Sequence, residues 1–100
     1  MPKGYWIVRG EVSDPEAYKS YVAANAEAFR KFGARFLVRG GKYEAVEGES
    51  RARNVVIEFK DYATALACYN SPEYAAAKAL RLRAATIDIT VIEGYDGPQP

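Results

Sequence analysis

The chain has 100 residues, of which 49% are hydrophobic and 27% are charged, and its formal net charge is +1. This length suits one domain with one core and excludes two domains, and the composition excludes a disordered or fibrous protein. Because acidic and basic residues are interspersed, the charge predicts neither nucleic acid nor an anionic membrane as a partner. The absence of histidine and the single cysteine, Cys68, exclude an internal disulfide and a zinc site of the usual kind.

The first predicted elements are a strand and a helix. Residues 5–12, YWIVRGEV, are rich in aromatic and β-branched residues, which is typical of a strand. Asp14 can cap the following helix, Pro15 suits its first position, and we expect the helix to end at Phe32, before Gly33. One face of this helix is mainly apolar and has residues at spacings of three and four, namely Tyr18, Val22, Asn25, Phe29 and Phe32.

Two strands are predicted in the middle of the chain. Residues 34–39, ARFLVR, alternate in character and are followed by Gly40 and Gly41, which open a long connection. Residues 54–59, NVVIEF, form the third strand. We expect these two strands to pair across an elaborated hairpin, inside which residues 43–46 form a short strand.

The second half of the chain predicts two consecutive helices and a last strand. Asp61 caps the first helix, and Ser71 with Pro72 starts a second helix in a new direction, which extends to about Arg83. Residues 86–94, TIDITVIEG, alternate between apolar and polar side chains and form the last strand.

The order β-α-β-β-α(α)-β indicates an α+β fold of the ferredoxin-like, split βαβ type. In this fold a four-stranded antiparallel sheet carries its helices on one face. We expect a single domain over residues 1–94, followed by a tail over residues 95–100.

The strand alternation predicts which side chains face the helices and which lie on the other face of the sheet. The expected helix-facing side chains are Phe36, Val38, Val55, Ile57, Phe59, Ile87, Ile89 and Val91. The opposite face then carries Leu37, Val56 and Ile92 with Arg35, Arg39, Glu58, Asp88 and Thr90, and strand one adds either Trp6 and Val8 or Tyr5, Ile7 and Arg9. Such a mixed face predicts a homodimer in which two sheets pack face to face. The alternative is a solvated sheet covered by long side chains.

Several motifs resemble one known family along nearly the whole chain: GYW at 4–6, SDPEAYKSY at 13–21, FGARFLVRGG at 32–41, RNVVIEF at 53–59 and YNSPEYAAAKALR at 69–81. It is a bacterial domain-of-unknown-function family within the dimeric α+β barrel superfamily, whose relatives include antibiotic-biosynthesis-type monooxygenases and muconolactone-isomerase-like proteins. The resemblance implies the fold and the dimer, and it implies no substrate. The family pattern gives weight to Tyr21, Arg39, Gly40, Gly41, Glu47, Gly48, Glu58, Tyr69, Ser71, Pro72, Tyr74, Arg81, Glu93 and Gly94.

Two carboxylates are the candidate catalytic residues. Glu58 stands in mid-strand among aliphatic residues, which would make it a candidate general base, and Asp88 on the last strand could share a site with it. The structural alternatives are an ion pair between Glu58 and Arg39, and a hydrogen bond from the backbone or from Arg81 to Asp88.

Four residues are candidate ligand-binding residues: Arg39, Tyr69, Tyr74 and Arg81. Arg39 beside two glycines could bind a carboxylate, and the phenols could donate hydrogen bonds. In the structural alternative the tyrosines are core residues with hydroxyls at the rim, and Arg81 ties its helix to a carboxylate.

Two functions follow from this pattern. The first is a cofactor-independent protein that binds a small anionic or carbonyl-bearing organic molecule and turns it over by proton transfer or oxygenation. The second is a non-catalytic dimer that senses a ligand or binds a partner, and the lack of histidine favours it. We expect no metal and no cofactor, and, because the start MPKGYWIVRGEV has no leader-like apolar stretch, a cytoplasmic location.

Overall fold

The computed structural model describes residues 2–100, which form four strands and three helices. In chain order they are β1 (Gly4–Val12), α1 (Pro15–Lys31), β2 (Arg35–Arg39), β3 (Arg53–Phe59), α2 (Tyr62–Tyr69), α3 (Pro72–Arg81) and β4 (Ala85–Glu93). The strands form one antiparallel sheet in the order β2-β3-β1-β4. The predicted split βαβ arrangement is therefore confirmed.

Each helix begins at a capping residue that the sequence predicted. The side chains of Asp14, Asp61 and Ser71 accept a hydrogen bond from the backbone amide three residues on, at 3.2, 2.7 and 3.1 Å. Pro15 and Pro72 occupy the first helical positions, where no amide donor is needed. Within residues 2–100, no helix has both the length and the apolar character required to cross a membrane.

The core is centred on Trp6, whose side chain is completely buried. Its indole Nε1 donates a 2.8 Å hydrogen bond to the backbone oxygen of Ala65 on α2. Its ring lies 5.0 to 5.8 Å, between centroids, from four other aromatic rings: Phe29, Phe59, Tyr69 and Tyr74. One residue of the central strand therefore contacts a second strand and all three helices.

The strand register decides which face of the sheet each side chain of β1 occupies. Trp6 lies opposite Ile57 and Val91, and these three side chains face the helices. Because alternate residues of a strand point to opposite faces, the other face of β1 carries Tyr5, Ile7 and Arg9. We call this second, helix-free side of the sheet the open face.

A β-bulge changes the alternation in β2. The register shifts between Phe36 and Val38, so that Val38 lies opposite Val56 and Arg39 lies opposite Val55. One extra residue in a strand moves every later side chain to the other face. Val38, predicted to face the helices, therefore lies on the open face with 44% of its surface exposed, and Arg39, predicted on the open face, lies on the helix side. Both predictions were wrong for this reason.

The connection between β2 and β3 forms no strand, so the prediction of a short strand over residues 43–46 was also wrong. The end of this connection is attached to the open face. Arg9 donates a 3.3 Å hydrogen bond to the backbone oxygen of Glu49, and the Arg51 Nε donates a 2.8 Å hydrogen bond to the Asp88 carboxylate.

Gly4 lies against the start of α2, and this close approach predicts a large difference between two identical substitutions. A Cβ at Gly4 would overlap the backbone of Asp61 and lie 2.7 Å from the Cα of Tyr62, whereas a Cβ at Gly41 would meet nothing within 4 Å. We expect Gly4→Ala to lower the free energy of unfolding by about 2 kcal/mol or more, because backbone cannot move aside cheaply. Gly41→Ala is the matched control and should change it by less than about 0.5 kcal/mol. Urea unfolding followed by circular dichroism measures both, and equal stabilities would contradict the described packing.

Candidate functional site

An open recess lies between α1 and the helix-facing side of the sheet. Its empty volume, including the mouth, is about 350 Å³. Aromatic and aliphatic side chains form its walls, including Trp6, Phe29, Phe36 and Ile57. Its polar side chains are Tyr18, Tyr21, Asn25, Arg39 and Arg53.

Local structure explains why these polar side chains meet. Tyr18, Tyr21 and Asn25 follow each other at spacings of three and four, so they lie on one face of α1. Arg53 precedes Val55 by two residues on β3 and therefore points to the same side of the sheet as this buried valine. Arg39 reaches that side only because of the bulge in β2.

The Arg53 guanidinium lies between the Tyr18 ring on α1 and Gly40, which follows β2. Its guanidinium carbon lies 5.6 Å from the centre of the Tyr18 ring. A Cβ at Gly40 would lie 2.7 Å from an Arg53 terminal nitrogen, so this glycine, which has a φ of +66°, leaves the space that the guanidinium occupies. The Arg53 Nε is buried, and no group within residues 2–100 accepts a hydrogen bond from it.

A second polar group, formed by Tyr21, Tyr74 and Arg81, lies behind the recess. The two hydroxyl oxygens are 2.8 Å apart, and the Arg81 Nε donates to the Tyr74 hydroxyl at 3.4 Å. The Arg81 guanidinium also lies 5.7 Å from the centre of the Tyr21 ring. Arg81 is only 6% exposed, so its positive charge is largely removed from water.

The recess has a positive electrostatic character. The three salt bridges within residues 2–100 join Lys19 to Glu16, Lys31 to Glu73 and Arg51 to Asp88, and none includes an arginine of this region. No carboxylate is among the side chains that line the recess. Arg39, Arg53 and Arg81 thus bring three positive charges to one region without an acidic partner there. Arg39 stacks instead on Phe36, with 4.1 Å between its guanidinium carbon and the ring centre.

Burial keeps the phenols of Tyr18 and Tyr21 neutral over a wider pH range than that of an exposed tyrosine. Burial, followed by the neighbouring Tyr74 hydroxyl, raises the pKa of Tyr21 well above its ordinary value, although Asn25 and Arg81 act in the opposite direction. Burial also raises the pKa of Tyr18, and the positive charge of Arg53 opposes this change. At neutral pH both phenols are therefore hydrogen-bond donors.

The structure does not bring Glu58 and Asp88 together. They lie opposite Tyr5 and Arg9 on the open face, and this four-residue separation along β1 corresponds to about 13 Å. Glu58 accepts a 3.3 Å hydrogen bond from the Tyr5 hydroxyl, and Asp88 pairs with Arg51. Their assignment as catalytic residues stays a prediction, and neither lines the recess.

The predicted ligand-binding residues are distributed around the recess. Arg39 lines it, whereas Tyr74 is completely buried behind it. Tyr69 packs against Trp6 and accepts a 3.0 Å hydrogen bond from Lys78. The expected carboxylate partner of Arg81 was wrong, because Arg81 donates to the Tyr74 hydroxyl.

Sequence reasoning missed three residues of the recess: Tyr18, Asn25 and Arg53. The first two were attributed to an apolar helix face, where a buried asparagine was the available signal of a polar lining. Arg53 was placed just outside the third strand. Including it in the alternation of Val55 and Ile57 would have put it on the helix side.

The sequence matches the family model described as domain of unknown function (DUF1330) over residues 3–95. A comparison with curated proteins finds no match. Within residues 2–100, no three or more cysteine, aspartate or glutamate side chains are grouped to hold a metal ion.

Solved structures share the fold. A protein of unknown function from Rhodopseudomonas palustris aligns with a TM-score of 0.74 at 15% identity, over 96% of this chain and 85% of that chain. SnoaB, a cofactor-independent oxygenase from Streptomyces nogalater, aligns with a TM-score of 0.64 at 15% identity, over 100% of this chain and 97% of that chain. A dimeric ferredoxin-like protein of unknown function from Thermobifida fusca aligns with a TM-score of 0.61 at 13% identity, over 92% of this chain and 91% of that chain. These similarities confirm the predicted ferredoxin-like α+β fold, and at such identities they do not transfer chemistry.

The raised pKa of Tyr21 predicts a loss of stability in alkaline solution. A phenol that stays protonated in the folded chain and ionises near pH 10 when unfolded stabilises the fold fully below about pH 10, and this contribution falls as the pH rises above that value. For one such group the free energy of unfolding falls by at most about 1.4 kcal/mol per pH unit.

We expect Tyr21→Phe to reduce this slope, measured by urea unfolding at several pH values between 9 and about 11.5. Tyr43→Phe, at an exposed tyrosine, is the matched control and should keep the wild-type slope. An unchanged slope in the Tyr21 variant would contradict the described burial of its hydroxyl.

Proposed function

The chain belongs to the DUF1330 family of domains of unknown function, and we propose that it binds a small organic anion in the recess between α1 and the sheet, as a homodimer. The observation that carries this proposal is the Arg53 guanidinium, which lies in an aromatic recess with a buried Nε that has no acceptor in the described chain. A ligand carboxylate beside this guanidinium would supply the negative charge that no described side chain of the recess lining gives it.

The energetic argument concerns buried charge. Moving a charged group out of water is costly unless an opposite charge or several hydrogen bonds compensate for it. Within residues 2–100 the acceptor of the buried Arg81 is a neutral hydroxyl, and Arg53 lies against an aromatic ring. An anion bound in the recess would reduce the repulsion among these arginines, and a carboxylate can accept two parallel hydrogen bonds from one guanidinium.

The walls favour a ligand with an apolar body. Aromatic and aliphatic side chains together line most of the recess, and its volume of about 350 Å³ includes the open mouth. The enclosed part, about 30 Å³, is far smaller than the roughly 300 to 1,000 Å³ of usual small-molecule sites, so the body of a ligand would lie in the open mouth. A carboxylic acid with an aromatic ring is the class that matches both the positive charge and the apolar walls.

The donors of the recess support binding more directly than turnover. Tyrosine, asparagine and arginine side chains can donate hydrogen bonds to a ligand oxygen. The lining includes no carboxylate that could take a proton from the ligand, and Glu58 and Asp88 lie on the other face of the sheet. Of the two functions predicted from the sequence, non-catalytic binding is the one that this distribution favours.

The open face supports the homodimer. It carries partly or largely exposed aliphatic side chains from all four strands: Ile7, Leu37, Val38, Val56 and Ile92. The bulge in β2 adds Val38 to this apolar surface. Packing two such faces together would remove these side chains from water. The Thermobifida fusca protein of the same fold is described as dimeric, which supports a dimer here.

The anion proposal predicts a specific effect of one arginine. We expect 3-phenylpropionate, an aromatic carboxylate used as a probe, to bind the wild-type protein, and Arg53→Gln to weaken this binding about tenfold or more, because a charge-assisted hydrogen bond is lost. Isothermal titration calorimetry measures both dissociation constants.

Arg30→Gln is the matched control, since it removes the same charge from the exposed last turn of α1, outside the recess lining and outside the open face. It should leave the dissociation constant within about twofold of the wild-type value, because exposed charges at a distance are screened. Equal losses in the two variants would show a general charge effect and would contradict a carboxylate site at Arg53.

The dimer proposal predicts that a charge introduced at one exposed aliphatic residue prevents dimerisation, whereas a charge at another does not. Ile92, which is 49% exposed on the open face, becomes buried in the proposed dimer, whereas Leu82, which is 61% exposed after α3, stays in water. We expect Ile92→Glu to be monomeric and Leu82→Glu to remain dimeric, because only the first variant buries a charge. Native mass spectrometry and light scattering measure the mass, and a monomeric wild-type protein would overturn the proposal.

A further inference from the structure

The hydrogen-bond directions in the Tyr21, Tyr74 and Arg81 group can be derived from their donors and acceptors. A guanidinium only donates, so the Tyr74 oxygen accepts from the Arg81 Nε. Between the two phenols, at 2.8 Å, either hydroxyl could be the donor by geometry alone. Both tyrosines are buried, but only Tyr21 lines the recess, where a bound molecule could accept its hydrogen.

If Tyr21 donated to Tyr74, the Tyr74 oxygen would accept twice and its own hydrogen would have no acceptor. The hydrogen bonds of the Tyr74 hydroxyl within residues 2–100 are those with Tyr21 and Arg81. Leaving a buried donor unpaired is costly. In the satisfied arrangement Tyr74 donates to Tyr21, and the Tyr21 hydrogen is then directed away from Tyr74.

The Tyr21 side chain lines the recess, beside Asn25. Its hydrogen is therefore available to a molecule bound there. The chain of donors begins at the buried positive charge of Arg81, which polarises the Tyr74 hydroxyl and, through it, the Tyr21 hydroxyl. Tyr21 should for this reason be a stronger donor than an isolated phenol.

We infer that Tyr21 recognises a second oxygen of the ligand, so that the recess selects oxo- or hydroxy-substituted carboxylic acids over acids without that oxygen. This inference rests on the proposed anion-binding function and adds a substrate class to it. Arg53 binds the carboxylate, Tyr21 donates to the carbonyl or hydroxyl oxygen, and Tyr74 and Arg81 are positioning residues that act through Tyr21. The raised pKa of Tyr21 is consistent with this role, because the phenol keeps its hydrogen at neutral pH.

A matched pair of probes tests the inference. 3-Phenylpropionate and freshly prepared 3-oxo-3-phenylpropionate share one carbon skeleton and differ by one carbonyl group. We expect the wild-type protein to bind the oxo acid about five- to tenfold more tightly, which is the usual value of one neutral hydrogen bond. In Tyr21→Phe this preference should disappear, because the donor to the second oxygen is lost.

Tyr69→Phe is the control for loss of a hydroxyl near the same aromatic cluster. The Tyr69 ring packs against Trp6 and Tyr74, but its hydroxyl is held by Lys78. This variant should keep the full preference for the oxo acid. Tyr74→Phe tests the positioning role, and it should reduce the preference without abolishing it, because Tyr21 keeps its own hydrogen.

The outcomes separate this inference from the proposed function. If both acids bind equally well in an Arg53-dependent way, or if Tyr21→Phe keeps the preference, the role of Tyr21 is overturned and the anion site stands. An unchanged preference in Tyr74→Phe overturns the positioning role of Tyr74. If Tyr21→Phe does not fold, the comparison of the two acids in the wild-type protein decides the role of Tyr21. If neither acid binds the wild-type protein at millimolar concentration, the anion site and the role of Tyr21 are both overturned.

Discussion

The burial of Trp6 is the constraint on which the rest of the structure depends. The indole lies on the central strand, contacts rings from α1, α2, α3 and β3, and donates a hydrogen bond to the backbone of α2. A large aromatic side chain with a satisfied polar group fixes both the distance and the orientation of the helices above the sheet. The recess lies beside this cluster, where Tyr18, Tyr21 and Asn25 place polar groups on the face of α1.

Positive charge without local carboxylates is the second feature that organises the site. A protein can reduce the cost of a buried guanidinium with an acidic side chain, as it does for many ion pairs. Here the guanidinium groups lie against tyrosine and phenylalanine rings instead. Cation–π contacts compensate for part of the desolvation and leave the hydrogen-bond donors of the arginines available to another acceptor. The acidic residues that the sequence singled out pair on the opposite side of the sheet.

The sequence predicted those features that depend on local chemistry. Capping residues at Asp14, Asp61 and Ser71 and the alternation in β3 and β4 were sufficient for the fold. The site was harder to predict, because the position of Arg39 depends on a bulge that no turn residue in ARFLVR announces. Tyr21 was given weight only by a family resemblance, and the Arg81 partner was wrong because the hydroxyl of Tyr74, on the same helix, accepts its hydrogen bond. The contact between Tyr21 and Tyr74 joins residues that are far apart in the sequence, and it is decided by tertiary packing.

The same bulge links the two surfaces of the sheet during evolution. Leu37 is the extra residue of the bulge, so a strand that kept it in the regular ladder would turn Val38 toward the helices and Arg39 toward the open face. Such a straightened strand would place a further charge in the proposed dimer contact and a valine at the mouth of the recess. Related sequences that lack the bulge should therefore also differ at positions 38 and 39, where an apolar and a basic side chain would have to exchange places.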